Sequence, residues 1–113
     1  MIRSITKSKK SEEKAMLLII LGCLTALRKG IITCDESQGV LFSPGRIKNM
    51  KIAKYDKRII RLVGKCLELE DVLSLLPQKY MDTLDELIEE TVHIVSTYEC
   101  FDEESWLDVR KEY

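Results

Sequence analysis

Two prolines, five glycines and a single histidine are all that 113 residues contain, and each shortage removes a class of structure. With so few turn formers, a β architecture of many short strands is disfavoured, and the abundance of Leu, Ile, Glu and Lys points to helices. The cysteines Cys23, Cys34, Cys66 and Cys100 lie 11, 32 and 34 residues apart, so no C-x-x-C pair exists. His93 stands alone, and a zinc site, which wants ligands in close pairs, is not expected. Cys23 and Cys66 fall in apolar helical stretches where a thiol behaves as a small hydrophobe, so reduced cysteines are the expected state.

Long apolar runs are also missing. The one candidate is Ala15 to Leu27, whose 13 residues rise about 20 Å as a helix, short of the roughly 30 Å hydrocarbon core of a bilayer. Gly22 and Thr25 interrupt it, and no small-residue cleavage site follows. It reads as a buried helix of a cytoplasmic protein. Catalytic signatures are lacking as well: there is no Gly-rich phosphate loop, no H-E-x-x-H and no G-x-S-x-G. A Cys–His nucleophile built on Cys100 would lack a third group. No enzyme activity, cofactor or metal is expected.

What is present suits one helical domain. Hydrophobic residues make up 45% of the chain, enough for one core, and the length leaves no room for two. Residues 1–10 carry four cations and no acid and read as a flexible basic arm, followed by a single helical domain over 11–113. Ser11 is placed to cap the first helix (11–29), with Glu12 and Glu13 in its first turn and Gly30 as its left-handed stop. Apolar residues surround nearly the whole of this helix, which makes it the expected centre of the fold. Thr33 and Glu36 have capping-box spacing and predict a short helix to about Leu41; a hairpin over 31–42 is the rival reading. Ser43-Pro44-Gly45 breaks the chain and can start another helix, with Ile47, Met50 and Ala53 on one face.

Asp56 suits the cap of a helix whose apolar stripe is Ile59, Ile60, Leu62, Val63, Cys66 and Leu67, with Gly64 marking close packing or a kink. A short segment, Glu70 to Leu76, ends at Pro77. From Pro77 to about Tyr98, the residues Tyr80, Leu84, Leu87, Ile88, Thr91, Ile94, Val95 and Tyr98 form a buried helical face. The expected fold is all-α, a compact bundle of about five helices.

A net charge of −1 conceals a split along the chain. Residues 1–67 hold 15 Lys or Arg against 5 Asp or Glu, and residues 68–113 hold 3 against 14. On the last helix Asp82, Asp85, Glu86, Glu89 and Glu90 share about a third of the circumference at 3.6 residues per turn. Like charges at i, i+3 and i+4 repel by a few tenths of a kcal/mol each. Such a face is relieved by a basic partner, whose complementary field speeds association. Asp102, Glu103, Glu104 and Trp106 follow in the tail, the tryptophan being a candidate anchor within an acidic rim. A second, weaker reading uses the basic stretch Arg46, Lys48, Lys51, Lys54, Lys57, Arg58, Arg61 and Lys65 to contact phosphates. Against it, Tyr55 is the lone interleaved aromatic and no nucleic-acid-binding motif is present.

The stretches LGCLTALRKGIITCDESQGVLFSP (Leu21 to Pro44) and CLELEDVLSLLP (Cys66 to Pro77) resemble a family of small, uncharacterised, helical bacterial proteins. The resemblance covers roughly Ser11 to Leu87. Some proteins of this sort look like immunity partners encoded beside toxins of contact-dependent growth-inhibition systems. The resemblance implies an immunity protein that binds a cognate toxin, in many cases a basic nuclease, and blocks its substrate groove with an acidic face. It carries no functional residue over. The alternative is a helical adaptor or regulatory subunit that uses the same charges on another intracellular protein.

Overall fold

The computed structural model describes residues 9–99, which are all-α: among them 80% are helical and none is in a strand. Four helices of nine residues or more carry the fold: α1 (Lys9–Arg28), α3 (Pro44–Ile52), α4 (Lys57–Leu67) and α6 (Tyr80–Val95). Two seven-residue helices, α2 (Cys34–Val40) and α5 (Leu69–Leu75), and a 3-10 turn at Pro77–Lys79 connect them. The expected bundle of about five helices is therefore four, with short connecting turns of helix.

The helix ends follow local chemistry. Thr33 Oγ1 accepts from the Glu36 N–H at 3.2 Å, and Glu36 Oε1 accepts from the Thr33 N–H at 3.0 Å, so the capping box forms. It starts α2 and excludes the hairpin. Ser43 Oγ accepts from the Arg46 N–H at 3.2 Å to open α3, with Pro44 in its first turn. Asp56 Oδ1 accepts from the Arg58 N–H at 2.9 Å to open α4. Gly30, at φ +73°, ends α1, and Ile31 N–H reaches back to Ala26 O at 2.9 Å.

Helix α3 ends in the same way with the wrong residue for it. Lys54 N–H donates to Lys51 O at 3.1 Å and Tyr55 N–H to Met50 O at 3.0 Å, the two bonds of a Schellman stop. The position between them demands a left-handed backbone, and Lys54 adopts φ 60° there. For a residue with a Cβ that conformation costs about 1–2 kcal/mol. Lys54→Gly should therefore raise stability by about 1 kcal/mol, or roughly 4–8 °C in Tm for a domain of this size. Thermal unfolding followed by circular dichroism checks this; an unchanged or lower Tm would mean the turn relaxes around lysine without strain.

The core forms where α1 runs antiparallel to α6, with α4 and α5 closing the other side. Leu17, Ile20 and Leu24 of α1, Ile59, Leu62 and Val63 of α4, and Leu84 of α6 are fully buried. Burying such side chains stabilises by about 1.5–3 kcal/mol each. Tyr80, Leu87, Thr91 and Ile94 continue the buried face expected for α6, while Ile88, Val95 and Tyr98 of that face are half-buried, Tyr98 beyond the end of the helix.

Several expectations need correction. Ser11 is no cap: α1 already includes Lys9 and Lys10, which the sequence assigned to the arm, and Ser11 is buried within it. Helix α1 is not enclosed all round, since Leu18, Gly22 and Thr25 leave one stripe exposed at i, i+4, i+7. Ala53 is exposed beyond Ile47 and Met50 because α3 has already ended. Gly64 marks no close approach: α4 runs through it, and a Cβ there would meet nothing within 4 Å. The last helix starts at Tyr80, because Pro77 opens the 3-10 turn instead. No helix among the described residues is long and apolar enough to cross a membrane.

Candidate functional site

Two charged surfaces of opposite sign lie on adjacent helices. The first is the outer face of α6, whose buried stripe fixes where its acids point. Asp82, Asp85, Glu86 and Glu89 are exposed and Glu90 is half-buried. The structure divides the five. Asp85 accepts from Arg28 Nε of α1 at 2.8 Å, and Glu90 accepts from Lys65 Nζ of α4 at 2.7 Å. These two charges are therefore compensated within the chain, by exposed pairs that contribute little to stability. Asp82, Glu86 and Glu89, at i, i+4 and i+7, keep a single exposed row, and none makes an ion pair among the described residues. Asp102, Glu103, Glu104 and Trp106, the expected edge of this surface, lie outside the described residues, as does Cys100.

The second surface was legible only as a run of cations. The fold divides this run too. Arg58 turns back on Asp56 at 3.0 Å and donates through Nη1 to Thr97 Oγ1 at 3.0 Å. That pairing, chiefly the side-chain hydrogen bond from Arg58, holds the Asp56 carboxyl below its ordinary pKa. Lys51, Lys54, Lys57 and Arg61 instead line an open cleft of about 760 Å³ between α3 and α4, floored by Tyr55 and Ile60. None of the four makes an ion pair among the described residues. The sequence marked Tyr55 only as the lone aromatic among these cations, and Ile60 only as part of an apolar stripe. The one local hint was the absence of a glycine between the end of α3 at Ile52 and the cap at Asp56.

Between the surfaces a polar network ties three elements together. Glu13, 3% exposed, accepts from the Asp56 N–H at 2.6 Å through Oε2 and from the Tyr98 hydroxyl at 3.0 Å through Oε1. Its neighbour Glu12 accepts from the Tyr55 hydroxyl at 2.8 Å. Burial, then these carboxylates, push both phenols well above their ordinary pKa. Lys10 and Arg58 lie over the Tyr98 ring, 5.4 and 5.8 Å from its centre. Glu12 and Glu13 were expected in the first turn of the helix; Glu12 is there and also serves Tyr55, whereas Glu13 lies beyond that turn and is used by tertiary contacts.

The described cysteines Cys23, Cys34 and Cys66 are free thiols. Burial pushes the Cys66 thiol far above its ordinary range, and the Cys34 sulfur meets the buried Tyr80 hydroxyl at 3.1 Å. No cluster of three or more His, Cys, Asp or Glu able to hold a metal occurs among the described residues. His93 is exposed on α6.

No curated protein and no solved structure matches the chain. A family described as "protein of unknown function (DUF3969)" matches residues 7–108, beyond both ends of the Ser11–Leu87 stretch expected from resemblance, and the chain belongs to that family.

Proposed function

We propose that this protein works by binding a basic protein partner through the exposed face of α6, as an immunity protein would bind a toxin. Family membership brings no activity with it, so the reading rests on the surface. The observation that carries it is the row Asp82, Glu86, Glu89, exposed along one helix and making no ion pair among the described residues, with Arg28 acting on Asp82 only at longer range. Three like charges so placed repel one another, and a cationic partner removes that repulsion on binding. A nuclease toxin presents such a surface because its substrate is polyanionic. Carboxylates seated where phosphates would lie block the groove without any chemistry. An adaptor or regulatory subunit would use the same face on a different basic protein.

Asp85 and Glu90 are already engaged by Arg28 of α1 and Lys65 of α4, so they offer less charge to a partner. The test is to tag the protein, recover it from its native host at low and physiological salt, and identify what co-purifies. The triple variant Asp82→Lys, Glu86→Lys, Glu89→Lys should slow association with the recovered partner by about tenfold or more and flatten its salt dependence. A partner that binds the reversed helix equally fast uses another surface. Recovery of nucleic acid alone would end the protein-partner reading.

A further inference from the structure

We propose that the cleft between α3 and α4 binds a small phosphorylated ligand with an apolar or aromatic body, of the nucleotide class. Four cations, Lys51, Lys54, Lys57 and Arg61, border it, and no acid does among the described residues. They come from α3, from the turn after it and from two positions of α4 spaced i, i+4, so they converge on one hollow rather than following a single line. The floor is of a different character: Ile60 and Tyr55, whose hydroxyl donates to Glu12. Cations around an apolar floor fit an anionic head joined to an apolar body. A volume of about 760 Å³ lies within the roughly 300–1,000 Å³ range of small-molecule sites.

Lys54 supplies an independent observation. The same helix stop that takes Gly30 after α1 takes a lysine here, at φ 60°, with the less favourable backbone. Nothing in the packing asks for that residue: Lys54 is exposed and makes no ion pair among the described residues. An ammonium at the rim of a ligand cleft gives the strained position a purpose. Lys57 and Arg61, like charges one helical turn apart, are likewise relieved when an anion lies between them and Lys54.

Isothermal titration of the whole protein with ADP, pyrophosphate and a single-stranded DNA oligonucleotide, at low salt, tests the assignment. ADP should bind more tightly than pyrophosphate, because only ADP covers the floor. Lys54→Gly should weaken ADP by about tenfold, the loss of one charge-assisted contact, while its Tm rises. A variant that is more stable yet binds less well cannot be explained by misfolding. Arg61→Gln should weaken ADP similarly, and Lys29→Gln, beyond the end of α1, should leave it unchanged. The assignment is overturned if ADP does not bind, if pyrophosphate binds as tightly as ADP, or if Lys54→Gly binds ADP like the parent. Binding of the oligonucleotide in preference to ADP overturns it as well, and makes the cleft part of a nucleic-acid surface.

Discussion

Phe42→Ala should remove a large part of the domain's stability. Phe42 lies in the short connection between α2 and α3, yet none of its surface reaches solvent, and it is the largest fully buried side chain of the described residues. Its backbone is tied down, since both Leu41 N–H and Phe42 N–H donate to Ser37 O at 2.9 Å. Ser43, the next residue, is committed to capping α3. A turn held at both ends cannot collapse into the space a phenyl ring leaves. The cost should then lie in the upper part of the range of about 3–5 kcal/mol for such truncations. Against a total stability of roughly 5–15 kcal/mol, that is a large fraction. Urea unfolding should show a much lower midpoint with an unchanged slope. A cost below about 1 kcal/mol would mean the connection relaxes freely and that α2 and α3 do not depend on it.

Glu13→Ala should destabilise by about 1–3 kcal/mol, although it removes a charge from the interior. The substitution strands two half-buried donors at once, the Asp56 N–H and the Tyr98 hydroxyl; a fully buried unsatisfied group costs about 1–3 kcal/mol, and water can relieve part of that here. Relief of carboxylate desolvation offsets part of that, and Lys10 and Arg58 beside Tyr98 lose a nearby negative charge. Glu13→Gln separates the contributions. Its carbonyl can accept from one donor, while its amide nitrogen faces the other, so an intermediate loss is expected. In a double-mutant cycle with Tyr98→Phe the effects should couple by at least about 0.5 kcal/mol. Additive effects would show that the Glu13–Tyr98 bond contributes nothing of its own. Equal stability of Glu13→Gln and the parent would show that the second acceptor is not needed.

Helix stops and starts were legible in the sequence because each depends on residues within one turn. Thr33 with Glu36, Ser43, Asp56 and Gly30 mark their ends by side-chain oxygens or by the left-handed backbone, whatever the rest of the chain does. The buried stripe of α6 was equally plain, since Tyr80, Leu84, Leu87, Thr91 and Ile94 recur at helical spacing over nearly the whole helix. Where a local cue had a rival use, the reading failed. Ser11 and Glu13 look like a cap and a dipole acid, but both lie inside α1 and are buried, because α4 and the end of α6 approach there.

The candidate site divides along the same line. Sequence alone determined that α6 is an amphipathic helix with five acids on its polar side, and that eight cations crowd residues 46–65. Periodicity and composition are properties of the chain and survive any arrangement of helices. Tertiary structure decided which of those charges are used up internally. Arg28 takes Asp85 and Lys65 takes Glu90, across separations of 57 and 25 residues. It also decided that Lys51, Lys54, Lys57 and Arg61 surround a hollow instead of standing apart in water. A charge's partner depends on which helices become neighbours, and that is set by burial of the apolar faces, to which surface charges contribute little.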